Sequence, residues 1–403
     1  MALPSLQAHQ PPALTLLPLL LGPLLLLAAL VRRWRRPSPP TVRALPSLLE
    51  LYGRVAAGAF KPKLPKSLEG HAPIRVAVGQ PFVVDPARLA AYLELVELRV
   101  PADGAGGSAG AGAGVDAPAG FLFAESFRVG MLAMAQPSFP FNVLGAVLSR
   151  SVLRLERPVR SGDALLLSAA VDPASYVRNA KGDVEAVLAT AARDAATGAA
   201  VWSSELTVLV LDPRRRRPPP QAGKGPEAAA AGAKGEAAAA AAAAEDEEPF
   251  LVLAPRLKIG GDAGRRYGAF SGDRNPIHLC AATASLFGFR RPIAHAMYLV
   301  GCMEAALRGY EGPGGAGAAG SAGAAGGGAK GRWPFGAPAY PLSLESEFRR
   351  PTAIPATLRA VLPVAPAGGD EVVRVSVVEA RGSGYKDVVV GTLRQGAKAA
   401  GKP

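Results

Sequence analysis

The feature that most limits the fold of this chain is an order of elements that occurs twice: a helix, then four strands. The strands are indicated by runs of alternating apolar and polar residues, bounded by turn residues such as Gly198. Helices are predicted at 127–136 and from about 292 to 307, one ahead of each set of strands. The pattern predicts an α+β fold in which each antiparallel sheet packs on a helix. The predicted strands are 151–156, 164–171, 184–194 and 201–211, then 342–349, 357–362, 371–380 and 386–394.

Changes in composition divide the chain into five parts. The first folded unit is expected to open with a strand at 74–78 and a helix at 86–97. Gly- and Ala-rich stretches at 103–119 and 312–331 are typical of flexible insertions. The expected parts are an anchor (1–36), a Pro-rich linker (37–72), the first unit (73–212), a low-complexity linker (213–249) and the second unit (250–395).

Residues 13–31 form an apolar run in which Thr15 is the only polar side chain. As a helix this run would be about 28 Å long, close to the roughly 30 Å of a bilayer's hydrocarbon core. Arginines and Trp34 follow directly, which favours a transmembrane anchor with the folded units in the cytosol. We expect the membrane of the endoplasmic reticulum. A transit peptide for the mitochondrion or plastid is the alternative, since no acidic residue precedes Glu50.

Residues 267–297, YGAFSGDRNPIHLCAATASLFGFRRPIAHAM, concentrate the polar groups of the second unit. Asp273, Asn275 and His278 lie within six residues, and His295 precedes an apolar helix. The Asn-Pro pair predicts a helix that is capped by Asn275, begins at Pro276 and ends at Gly288. A histidine in the first turn lies near the positive end of the helix dipole, which favours a neutral imidazole that can act as a base.

The order S-G-D-x-N-P-I-H, then G-F, then I-A-H-x-M resembles the signature of the MaoC-like, (R)-specific enoyl-thioester hydratases and dehydratases of the hot-dog fold. The resemblance implies that Asp273 and His278 handle the attacking water and its proton. It also implies that the backbone N–H of Ala296 polarises the thioester carbonyl, although the family usually has glycine there. We place Ser271, Asn275, His295 and Ala296 in the oxyanion and substrate-binding part. Asn275 is expected to hold the loop, and His295 to shape the entry of the helix.

The first unit has no Asp-x-Asn-Pro-x-His sequence, and no histidine lies between 72 and 277. This arrangement resembles the eukaryotic double hot-dog hydratases, whose first half has lost the catalytic residues and makes room for the acyl chain. The resemblance therefore implies two tandem hot-dog units that pair within one chain and share a single site. Tyr267 is interpreted as a core residue.

The net charge of +13 is consistent with acidic partners. These include an anionic membrane surface, coenzyme A phosphates and an acidic acyl carrier protein, and the expected substrate is an acyl thioester of either carrier. Nucleic acid is set aside because basic residues are not interleaved with aromatic ones along a stripe. Cys280 and Cys302 lack metal-ligand spacing, so neither a metal nor another cofactor is expected. The arginines proposed for phosphate contacts are Arg290, Arg291, Arg349 and Arg350.

Two other functions remain open at this stage. The methyl group of Ala296 is expected to crowd the acyl chain or to shift the amide, which would suit a non-catalytic protein that binds acyl thioesters. A hot-dog thioesterase would share the fold and the ligand. The S-G-D-x-N-P-I-H order favours a hydratase over both.

Overall fold

The computed structural model describes most of the two predicted units. The expected anchor at 13–31 lies outside the described residues except for Ala29 and Val31, so it stays a prediction of the sequence. Within the described ranges, no helix is long and apolar enough to span a membrane. The linker at 213–249, the insertion at 312–331 and most of that at 103–119 are also outside. The described residues are 29, 31, 32, 34, 36–58, 61, 67–97, 116–144, 146–180, 182–211, 250–308, 339–363, 372–381 and 384–396.

The described helices and strands fall into two successive groups. The first group comprises β1 (Thr41–Val42), α1 (Leu48–Gly58), β2 (Ile74–Val78), β3 (Phe82–Val83), α2 (Pro86–Leu95), α3 (Ala119–Met134), β4 (Val147–Leu155), β5 (Ala164–Val171), β6 (Val177–Arg178), β7 (Val184–Asp194) and β8 (Ala200–Val210). The second comprises β9 (Phe250–Ile259), α4 (Ala263–Ser271), α5 (Ala281–Ser285), α6 (Ala296–Arg308), β10 (Leu342–Phe348), β11 (Ala356–Pro363), β12 (Val372–Arg381) and β13 (Gly384–Gln395).

The strands of the described regions join into a single 13-stranded sheet. Its main path runs β1-β2-β5-β7-β8-β4-β10-β13-β12-β11-β9, with β3 on β5 and β6 on β7. The two halves meet where β4 pairs antiparallel with β10, from Leu155 opposite Leu342 to Arg150 opposite Glu347. If the two-residue strands β1, β3 and β6 are left out, each half has its first strand at the outer end, then its third, fourth and fifth strands, and then its second. The expected repeat and its pairing within one chain are therefore visible in the topology.

One helix in each half packs on a face of its half of the sheet. Helix α3 contacts β2, β4, β5, β7 and β8, while α6 contacts β9, β12 and β13. Most residues of both helices are buried. A helix that is apolar nearly all round belongs in a core. This is the α+β, hot-dog arrangement that the sequence led us to expect.

The strand prediction missed β9, which forms one edge of the sheet. Its sequence, FLVLAPRLKI, contains Pro255, and proline cannot donate a ladder hydrogen bond. The structure tolerates it because β9 has a partner on one side only, and the β11–β9 register slips close to it, between Leu358 and Ala360. Strands β2, β5 and β7 agree with the prediction at both ends, and the ends of the six other predicted strands shift by at most four residues.

Two predictions in the first half need correction. Residues 37–72 were expected to be a tether, but they contain β1, which pairs in parallel with β2, and α1. The helix predicted at 127–136 begins eight residues earlier, at Ala119. Pro118 precedes it and makes no side-chain cap, so the local sequence holds no sign of the start.

The start of α3 is capped instead by Glu304, a residue of α6 that is 1% exposed. Its Oε1 accepts a hydrogen bond from Ala119 N at 2.9 Å, and its Oε2 accepts one from Gly120 N at 3.1 Å. Arg308 Nη2 donates to the same carboxylate at 3.0 Å. The carboxylate therefore satisfies unpaired N–H groups at the positive end of α3 and fixes the two central helices together.

We predict that Glu304→Gln lowers the free energy of unfolding by about 3 kcal/mol, because the variant keeps the shape but loses the buried charge. Urea unfolding measures this loss. The matched control is Glu205→Gln on β8, where the side chain is exposed, and the expected change is at most about 0.5 kcal/mol. Equal urea midpoints for the two variants would contradict the cap.

Candidate active site

The turn that carries Asp273 begins where α4 ends. Gly272 has a φ of 85°, the left-handed conformation that glycine adopts at helix ends. A short 3₁₀ turn, Pro276–His278, follows. The single α-helix predicted from Pro276 to 288 is wrong, because Cys280 is extended (φ −157°) and separates this turn from α5. Asn275 makes no side-chain cap here.

Asp273 is held by three neighbouring groups in the second half. Its N–H donates to Ser271 Oγ at 3.1 Å, and Ser271 in turn donates to Tyr267 O at 2.9 Å. Its Oδ1 accepts from Asn275 N at 3.1 Å. His295 Nε2 lies 3.1 Å from Asp273 O and 3.7 Å from Asp273 Oδ2. Asn275 thus holds the turn, as expected, but through its backbone N–H.

His278 is oriented by Ile293. Its Nδ1 lies 2.8 Å from Ile293 O, a carbonyl that can only accept, so Nδ1 carries the proton and Nε2 the lone pair. The ring stacks on that of His295, with centroids 3.7 Å apart. One oxygen of Asp273 and one nitrogen of each histidine lie within 4.8 Å of one another. His295 was expected to shape the helix entry and to belong to the substrate-binding part, and in the structure it contacts both Asp273 and His278.

Burial shifts the pKa values of His278, His295 and Asp273. It lowers the pKa of His278 below 6.5, partly offset by the charge of Asp273 and by the bond to Ile293. It lowers the pKa of His295 well below that value, and His278 adds to the effect. The pKa of Asp273 is raised above 3.8 by burial, against the opposing effects of His278 and Asn275 N–H. The neutral imidazole expected from a helix dipole therefore has another cause, namely desolvation.

The first residue of helix α6, Ala296, lies beside Asp273 and His278 in the lining of one cavity. The helix begins at Ala296 rather than near Pro292, because Ala294 N bonds to Thr352 O and Ile293 bridges to Ala353. The first intrahelical bonds are donated by Tyr298 and Leu299 to His295 O. Among the described residues, Ala296 N has no acceptor, and Ala296 lines the cavity beside Asp273. This N–H is available to a ligand oxygen.

A cavity of about 400 Å³ joins these groups to the first half of the chain. Asp273, Asn275, His278, His295 and Ala296 line one part of it. The other walls come largely from α3, β7 and β8, which bring no acid or base. Their apolar side chains include Phe123, Phe127, Met131, Met134, Leu188 and Leu206.

The other residues predicted from the sequence differ in whether they line the cavity. Tyr267 is buried, as expected for a core residue, but it also lines the cavity and its ring lies 4.9 Å from that of His295. Arg349 and Arg350 line the cavity, whereas Arg290 and Arg291 are exposed and do not. Ser271 lies behind the turn and supports Asp273.

Three residues that hold the turn around Asp273 were missed in the sequence analysis. Tyr52 of α1 bonds to both sides of Asp273, and nothing in the local sequence indicates such a contact. Gly264 and Gly268 of α4 let the turn lie against the helix: a Cβ would meet His278 O at 2.1 Å and Asp273 O at 2.4 Å, respectively. Two glycines four residues apart share one helix face, a signal that could have predicted this close approach.

The same cluster offers a donor set for a metal ion, since two imidazoles and a carboxylate suit zinc or iron. The hydrogen bonds occupy one nitrogen of each ring, an arrangement that suits a base and a metal ligand alike. His295 Nε2 is directed at Asp273 O, and His278 Nδ1 at Ile293 O.

We predict that Gly264→Ala and Gly268→Ala each lower the melting temperature by several degrees, although alanine favours a helix over glycine by about 1 kcal/mol. The cause is overlap with the backbone of the turn. Gly261→Ala is the control, because the nearest atom to its Cβ would be Pro355 Cδ at 3.8 Å. Thermal melts in which all three variants match the unsubstituted protein would contradict the close approach.

Comparison with known proteins agrees with this architecture. Residues 249–312 match the model of the MaoC-like domain family. The chain is 26% identical over 260 residues to 3-hydroxyacyl-thioester dehydratase X of Mycobacterium tuberculosis, covering 64% of this chain and 78% of that protein. A crystal structure of HtdX from the same organism superposes with a TM-score of 0.52 at 20% identity, over 80% of this chain and all (100%) of that one. A structure described as a MaoC-like dehydratase gives a TM-score of 0.57 at 15% identity, over 82% and 99% of the two chains, and both likenesses concern the fold. Residues 249–312 of this chain thus resemble a MaoC-like domain, and the chain shares the fold of these two solved structures.

Proposed function

We propose that this protein adds water to 2-enoyl thioesters and, in reverse, dehydrates (R)-3-hydroxyacyl thioesters. The MaoC-like domain and the relationship to a 3-hydroxyacyl-thioester dehydratase support a hydro-lyase. The observation that carries the proposal is geometric. A carboxylate oxygen of Asp273 and a nitrogen of His278 lie within 4.8 Å at the side of an apolar cavity.

A single water molecule can bridge this pair, because two hydrogen bonds of about 2.8 Å span such a gap. His278 Nε2 accepts a proton from the water as the water oxygen bonds to C3 of the substrate. The electrons of the double bond move toward the thioester oxygen. The same proton then passes from the imidazolium to C2, so that one water is added on one face. Asp273 holds the water and stabilises the imidazolium.

The thioester oxygen requires a donor where the negative charge develops. The N–H of Ala296 fits this role, because it begins a 13-residue helix and lines the same cavity. Loss of such a donor costs about 3 kcal/mol in transition-state stabilisation. The methyl group of Ala296 leaves this N–H in place.

The apolar walls supplied by the first half fit an acyl chain, and the arginines at the cavity fit the phosphates of its carrier. Arg350 is braced by a bond from its Nε to Asp387 O at 2.9 Å. Arg349 is paired with Glu347. The carrier is accordingly coenzyme A or acyl carrier protein. This chemistry does not depend on the membrane anchor expected at 13–31.

We predict that Asp273→Asn and His278→Gln each lower kcat for crotonyl-thioester hydration by about a hundredfold or more, because each removes one partner of the water. The loss of enoyl absorbance measures the rate. Asp262→Asn is the control, since this carboxylate is exposed and precedes α4. Equal background rates for the natural protein and Asp273→Asn would instead support a non-catalytic thioester-binding protein. Release of free acid would support a thioesterase.

We predict a single acidic limb in the pH profile of kcat/KM. Asp273 must be ionised and His278 neutral, so both are in their working forms above their pKa values, and activity is lost as the pH falls. Burial raises the pKa of Asp273 above 3.8 and lowers that of His278 below 6.5, so the limb lies above the range of an exposed aspartate. Steady-state rates from pH 4 to 8 measure it, and activity that does not fall toward pH 4 would contradict the assignment.

A further inference from the structure

The segment ahead of the first hot-dog unit reaches the catalytic turn from outside. Tyr52, in α1, lies 220 positions before Gly272 in the sequence, yet its hydroxyl donates to Gly272 O at 2.9 Å. The same hydroxyl accepts a hydrogen bond from Arg274 N. These two peptide groups flank Asp273. One phenol therefore holds the backbone on both sides of the carboxylate.

The contact completes a set of supports around Asp273. Ser271, Asn275 and His295 hold the residue from within the second half. Those bonds leave Gly272 O and Arg274 N, which Tyr52 takes. A Cβ on Gly272 would lie 3.0 Å from Leu48 Cδ2, so α1 also packs closely on the turn.

Helix α1 is itself fixed to the first half of the molecule. Leu51 and Val55 are buried in the core, at 0% and 3% exposure. Ser38 N donates to Gln136 Oε1 at 2.8 Å, and Lys61 Nζ donates to Gln136 O and Phe139 O at 2.7 and 2.8 Å. Both ends of the segment are thus attached just beyond α3. A phenol on such a support can set the position of a turn that belongs to the other half.

We propose that Tyr52 is a positioning residue, which fixes the direction of the Asp273 carboxylate for the hydration reaction. The proposal rests on the function proposed above. The phenol keeps its proton across the working pH range, because burial and the nearby charge of Asp273 raise its pKa. It therefore acts through two hydrogen bonds and not as an acid.

The test is Tyr52→Phe in the full chain, which keeps the ring and removes only the hydroxyl. We expect kcat to fall about tenfold with KM within about twofold, because the lost bonds orient the reacting group and not the acyl chain. The control is Tyr176→Phe, whose buried hydroxyl has no partner among the residues described. This control should change neither constant.

Hydrogen exchange of peptides spanning 272–275 is a second measurement, and it does not depend on catalytic activity. Tyr52→Phe should raise the exchange rate at Arg274 N about tenfold, because that N–H loses its acceptor. Unchanged exchange together with unchanged kcat would overturn the proposal and leave the hydratase function standing. If Tyr52→Phe raises the exchange rate but the unsubstituted protein has no hydratase activity, the contact is confirmed and its role in catalysis is rejected. Parallel losses of kcat in both tyrosine variants, with lower melting temperatures, would indicate general destabilisation and also overturn it.

Discussion

The antiparallel ladder between β4 and β10 is the interaction on which the rest of the molecule depends. It joins two five-strand patterns into one sheet, so that both central helices lie on the same continuous face. Leu153 opposite Leu344 and Leu155 opposite Leu342 are all buried, which fixes the register of the join. The cavity exists because of this join, since its acid and base come from one half and most of its apolar wall from the other.

The two halves share a plan but differ at the starts of their central helices. Ala296 and Met297, the first residues of α6, line the cavity, and the N–H of Ala296 has no acceptor among the described residues. The equivalent groups of α3 are bound by the Glu304 carboxylate. A helix start that already holds an anion cannot also stabilise an oxyanion. The same interaction that locks the helices together thus restricts the proposed chemistry to one half.

Local patterns predicted much of this structure, and long-range contacts account for what they missed. Strands such as β5 and β7 follow from alternation alone, because burial on one face repeats every second residue. The motif around Asp273 and His278 was visible because its residues are close in sequence. The start of α3 depends on Glu304, which lies 185 positions away, and the support of Asp273 by Tyr52 spans more than two hundred. No local pattern carries that information.

The two outer strands of the sheet have a consequence for how copies of the chain meet. At one end lies β1, which is only two residues long, and at the other lies β9, interrupted by Pro255 and a slip in register. A row of free peptide groups normally recruits a second sheet and leads toward fibres. Neither border here offers a long, regular row. Within the described residues, the two borders of the sheet are therefore poor templates for pairing with a second sheet.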